Sequence, residues 1–291
     1  MKNIIKTIVA GGFLVGMTAL ISSCVGEKFH VEGTIGNAQD SVLYFEHNGL
    51  TGFTTVDSVK LDEKGAFSFA GDKIDNPEFY RLRIAEQIIN IAIDSTETVK
   101  VTAKYPQMAT EYDVNGSYEN EKIKELALKQ INFQTQCQAL YNHQPEVADS
   151  IVEVLVQTYK EDVALNYIYK EPMKAYSYFA LFQFIVVNNA ARLIFNPAKD
   201  AKDNKVFGAV ATSWDTFYPH SERGQNLHNI TIKGMRDDRI ASANKQQVEI
   251  RAEETGVIDL PLRDNRGKMH HLTDLKGQVV LLNFHAFSLP E

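Results

Sequence analysis

At 291 residues the chain exceeds what one compact domain usually needs, and 44% hydrophobic with 23% charged residues marks it as globular, neither disordered nor fibrous. A formal net charge of −7 argues against nucleic acid and anionic lipid headgroups as partners, since both require basic surface. Two cysteines cannot build a disulfide scaffold or a four-thiolate zinc site. No motif points to a cofactor, and none is expected.

Lys2 and Lys6 form a basic region ahead of an apolar stretch at residues 8–20, loosened by Gly11, Gly12 and Gly16. That run is short and glycine-rich for a bilayer span, which takes about 20 apolar residues, and suits a secretory signal sequence over residues 1–23. Ile21-Ser22-Ser23-Cys24 resembles the bacterial lipobox, in which the cysteine is lipidated and becomes the mature N-terminus. The resemblance implies a membrane partner held through acyl chains on Cys24, each buried methylene contributing about 0.8 kcal/mol. Val25, not the Asp that resembles an inner-membrane retention signal, stands immediately after Cys24, so the lipobox resemblance implies the cell envelope at the outer membrane, with its periplasmic and exterior faces both open.

Residues 24–117 read as a β-rich domain. Period-two alternation with frequent turn residues predicts strands at residues 29–33, 41–45, 56–61, 66–70, 79–84, 88–93 and 99–103. The strands at 56–61 and 66–70, joined by Asp62-Glu63-Lys64-Gly65, are expected to form a hairpin. The spacing suggests an antiparallel β-sandwich or barrel-like domain. Asp57-Ser58, the Gly65-to-Phe69 turn and strand, and Asn115-Gly116-Ser117 resemble a family of unassigned β-domains. In Gram-negative envelope proteins these commonly stand between a lipobox and a thioredoxin-like domain. The resemblance brings no catalytic residues.

The period changes to three and four near Glu119, which predicts a helical domain over residues 118–250. One helix carries Ile123, Leu126, Ala127 and Ile131, and a second follows Pro145. The nearly all-apolar residues 175–187 predict a third, buried helix. A polar linker is expected at 198–204, then helices at 206–217 and 221–235 with Ser221 as an N-cap and residues 236–239 as a solvated helix end. Five tyrosines between 159 and 178 could form a sugar-stacking platform, but their spread around two helices favours packing, as it does for Trp214. Cys137 on the apolar face of the first helix behaves as a small hydrophobe. His220, His228, His270 and His271 lack the spacing of a zinc site.

Residues 251–291 change character again. Asp264, Gly267-Lys268, Leu272-Thr273-Asp274-Leu275-Lys276-Gly277 and the apolar run 279–284 resemble the opening hairpin and central strand of envelope thioredoxin-like proteins and their peroxiredoxin relatives. Together these readings give an α+β chain: a β-domain, a helical middle and the incomplete start of a thioredoxin-like α/β fold. In the redox-active family the strand runs into a Cys-x-x-Cys motif. Here the corresponding positions hold His285, Ser288, Leu289, Pro290 and Glu291, with Leu289 where the attacking cysteine stands. Thiol exchange and peroxide reduction both begin from a thiolate, which Leu cannot supply. The sequence stops at the end of the expected strand, which reads as a fragment of a longer protein.

Three functions follow from these readings. The leading one is a lipid-anchored envelope protein with a binding or scaffold role, meeting an envelope protein or peptide. Another is a thiol–disulfide oxidoreductase or peroxidase using cysteines beyond residue 291. The third is surface capture of a glycan or peptide by the β-domain. No catalytic residue is assigned.

Overall fold

The computed structural model describes residues 27–187, 190–255 and 259–281. Alternating apolar and polar side chains build eight strands: β1 (Lys28–Gly36), β2 (Val42–Gly49), β3 (Gly52–Lys60), β4 (Ala66–Asp72), β5 (Glu78–Ile84), β6 (Gln87–Ile93), β7 (Thr98–Lys104) and β8 (Tyr112–Asn115). They form two four-stranded sheets, ordered β4-β1-β7-β8 and β3-β2-β5-β6. Inward-facing Val31, Ile35, Phe69, Val99 and Val101 of the first sheet meet Leu43, Phe45, Leu82, Ile89 and Ile91 of the second in one core. Phe45 stacks on Phe69 across it, ring centroids 5.3 Å apart. No closed barrel is seen among the described residues.

Two expectations are corrected here. The sheets are not wholly antiparallel, because β1 and β7 pair in parallel from His30↔Thr98 to Gly36↔Lys104. The segments at 56–61 and 66–70 do not form a hairpin either: β3 pairs with β2, and β4 with β1 in the other sheet. The turn between them carries the chain from sheet to sheet. Gly65, at φ 63°, lies where an added Cβ would stand 2.0 Å from the Ile35 carbonyl oxygen, so glycine alone fits the passage. β8 was not expected from the sequence.

Helices follow: α1 (Tyr118–His143), α2 (Pro145–Val163), α3 (Ala175–Leu181), α4 (Ala201–Phe217) and α5 (Glu222–Thr255). Ser117 caps α1 by accepting from the Asn120 backbone N–H, and Ser221 accepts from the Gly224 N–H at the start of α5. The predicted helix over 175–187 ends early: β9 (Phe184–Val187) pairs with β10 (Ala190–Leu193). The β-branched run Ile185-Val186-Val187 favours the extended form, and α1 supplies it with a partner. There Gln134 both accepts from the Val186 N–H (2.6 Å) and donates to the Val186 carbonyl (2.8 Å). The expected linker at 198–204 shrinks to residues 198–200, a turn ending in the cap Asp200, which accepts from the Lys202 N–H at 2.9 Å, and 201–204 already belong to α4. The 236–239 charge run lies mid-helix, because no Gly or Pro interrupts the good helix formers after it before Gly256. No helix among the described residues is long and apolar enough to cross a membrane.

The second core gathers the helices around Trp214, Phe207, Phe195 and Leu181. It reaches the sheets through Phe79 and Ala92, which face away from the first core. Asn120 makes the seam: its side-chain oxygen accepts from the Ala92 N–H (2.8 Å) and its amide donates to the Ala92 carbonyl (2.7 Å). The amide thus imitates a neighbouring strand along β6. Asn120→Ala leaves both buried groups unpaired, and urea unfolding should register a loss of about 1–3 kcal/mol.

The last described segment is the hairpin β11 (Pro261–Arg263) and β12 (Met269–His271), followed by a single turn at Leu272–Leu275. Asp264 closes the hairpin by accepting from the Arg266 and Lys268 N–H groups at 2.9 Å. The buried strand expected from residue 279 is not formed over 279–281, where Val279 and Leu281 are fully exposed. The hairpin alone offers no sheet for such a strand to enter. The remainder of that expected strand, residues 282–284, lies outside the described residues.

Candidate functional site

Strand alternation gives β3-β2-β5-β6 an outer face, and the register decides what meets on it. Glu46 of β2 stands opposite Arg81 of β5 and Thr55 of β3, while Tyr44 stands opposite Arg83 and Ser58. Arg81 in turn faces Asn90 of β6. Leu43, Phe45 and Leu82 point to the core, so their neighbours Glu46, Arg81 and Arg83 converge on the other side. A register shift between Phe45 and Glu46 leaves Val56 as an extra residue on β3, a bulge that bends β3 at this row.

Glu46 is only 4% exposed. Its Oε2 accepts from Arg81 Nε at 2.6 Å and its Oε1 from Arg83 Nη2 at 2.6 Å, with Arg83 Nε 3.0 Å from Oε2. The Arg83 guanidinium, assisted by Arg81, holds the Glu46 carboxyl below the usual carboxylate range against the opposing effect of burial. Arg81 lies 3.4 Å over the Phe53 ring, and Arg83 4.6 Å over Tyr44. Two cations therefore share one carboxylate, leaving an excess positive charge on a chain whose net charge is −7.

The helical region borders this row without covering it. Arg223 of α5 donates to Glu78 Oε2 (2.9 Å) and to the Asn48 carbonyl, and lies 5.1 Å over Phe79. His47 meets the same Glu78 oxygen at 2.7 Å. This clamp fixes one end of the sheet face to α5, and the Arg81–Glu46–Arg83 row begins beside it.

Other polar clusters serve packing. Lys160 joins α2 to the start of α4 through Asp200 (3.0 Å) and Asp203 (2.7 Å). Lys174 sits 2.9 Å from Glu119, whose carboxyl burial pushes up. Tyr159, Tyr176 and Tyr178 are buried, and so is Trp214, 4.6 Å from Tyr178 between ring centroids. Cys137 is fully buried and its thiol is pushed up by burial, the reverse of what a nucleophile needs. His228, His270 and His271 each meet an aspartate, at 2.7, 3.1 and 2.8 Å. Among the described residues no group of three or more His, Cys, Asp and Glu is placed to hold a metal ion.

Cys24, His285, Ser288, Leu289, Pro290 and Glu291 lie outside the described residues. Glu46, Arg81 and Arg83 were not singled out from the sequence. The Arg-Leu-Arg alternation of β5 was the available signal, since it places two guanidinium groups on one face, but their partner on β2 follows only from register.

Residues 29–123 match the model of a domain of unknown function, DUF4369. A DUF4369 domain is present. It takes in all eight strands from Phe29 onward and the first turn of α1, so Asn120 and the guanidinium pair both belong to it. No curated protein and no solved structure matches the chain.

Proposed function

We propose that the chain is a lipid-anchored envelope protein, tethered at the outer membrane through Cys24, whose DUF4369 domain binds an envelope protein or peptide and performs no thiol chemistry. The Arg81–Glu46–Arg83 row carries the binding half of this reading. A buried carboxylate fixing two guanidinium groups costs desolvation that a purely architectural sheet face has no need to bear. Such pre-organised forks suit recognition. The lipobox resemblance supports the tether, and the thioredoxin-like resemblance of residues 256–291, with Leu289 at the attacking position, supports a degenerate partner-binding segment.

Radiolabelled palmitate separates the outcomes in a Gram-negative host. The full chain should take up label and enter the detergent phase, whereas Cys24→Ala should take up none and stay in the aqueous phase. Label retained by Cys24→Ala overturns the tether. Insulin reduction by the purified full chain, abolished by thiol alkylation, overturns the binding role.

A further inference from the structure

From the unused donors of the guanidinium pair we infer that the outer sheet face binds a monoanionic carboxylate carried next to an apolar group, as at the C-terminus of a peptide ending in an apolar residue. The inference rests on the binding role proposed above and names its ligand chemistry. Each guanidinium has five N–H donors. Glu46 engages Arg81 only through Nε and Arg83 through Nε and Nη2. The Nη groups of Arg81 and Nη1 of Arg83 have no hydrogen-bond partner among the described residues. Those donors sit on side chains that are 16% and 27% exposed, so a ligand reaches them without the row being rebuilt.

Charge selects the ligand. Glu46 is the carboxylate hydrogen-bonded to both cations and Glu86 acts on Arg83 only through space, so the site admits at most one further negative charge, and a phosphate dianion would meet repulsion from Glu46. Shape selects it further. Phe53 is 54% exposed and lies against Arg81, offering an apolar surface beside the donors. Because Glu46 and the two rings already hold the guanidinium planes, binding orders few side chains.

Isothermal titration of the full chain with N-acetylphenylalanine tests this, with N-acetylphenylalaninamide and inorganic phosphate as comparisons. The acid should bind saturably and the amide at least about tenfold more weakly, since a charge-assisted pair is lost. Arg81→Gln should weaken the acid by about tenfold, while Glu46→Gln should tighten it by removing the negative charge that opposes the ligand, the amide oxygen still accepting from the guanidinium groups. Opposite signs from two neighbouring variants are not expected of a merely structural row. Thermal melting establishes that each variant is folded, and the acid–amide comparison needs no variant. Equal binding of acid and amide, phosphate binding as tightly as the acid, or an unchanged affinity in folded Arg81→Gln overturns the inference. Capture of envelope peptides irrespective of their C-terminal charge would overturn it too, yet leave the binding role standing.

Discussion

Lys160→Met should lower the unfolding free energy by about 3–5 kcal/mol at neutral pH, read from urea denaturation. Lys160 is 9% exposed and Asp203 2%, and they meet at 2.7 Å. Asp203 also accepts from the Asn196 N–H at 2.6 Å, so its carboxylate cannot swing out to water without losing the turn before α4. Removing the ammonium strands a buried negative charge. Asp203→Asn in the Lys160→Met background should recover most of the loss, since the remaining amide carries no charge. Burial raises the Asp203 pKa even beside Lys160, so the folded chain holds that proton more tightly than the unfolded chain. Stability from this group therefore falls as pH climbs from the unfolded-state value to the raised folded-state value, and the Lys160→Met deficit should narrow in mild acid. A deficit below about 1 kcal/mol would show that water reaches the site.

Gly33→Ala should cost more than about 4 kcal/mol or prevent folding altogether, whereas Gly36→Ala should stay within about 1 kcal/mol. Both glycines lie in β1, between β4 and β7. A Cβ on Gly33 would stand 1.8 Å from the Val101 carbonyl oxygen, and the residue's φ of 154° disfavours a side chain besides. Relief would require parting β1 from β7, where Val31, Val99 and Val101 are fully buried. At Gly36 the nearest atom is the flexible Lys104 Cγ at 3.6 Å, an ordinary contact. Circular dichroism and thermal melting of the pair check this directly, and a Gly33→Ala melt within a few degrees of the parent would refute the steric argument.

The failures of sequence reading share a cause. Alternation announced seven of the eight strands, since facing is a local property of the chain. It could not say that β3 and β4 separate into different sheets, because a polar turn containing glycine serves a hairpin and a sheet-to-sheet passage equally. Residues 184–187 look helical beside α3, and the extended backbone finds its partners in β10 on one side and, on the other, in the Gln130 and Gln134 side chains of α1, more than 50 residues earlier. The candidate site was hidden for the same reason. Arg81 and Arg83 share a face by spacing alone, yet their meaning depends on Glu46, 35 residues away, arriving in register.

By itself the sequence determined the periods, the helix cap at Ser221, the lipobox-like leader and the hairpin closed by Asp264. Each depends on neighbours within a few positions, where chain geometry leaves little choice. Tertiary structure alone decided which strands pair, where α3 gives way to β9, and that two cations close on one buried acid. Apolar strands are nearly interchangeable as partners, so burial of the whole set, and not any local preference, selects one register among many.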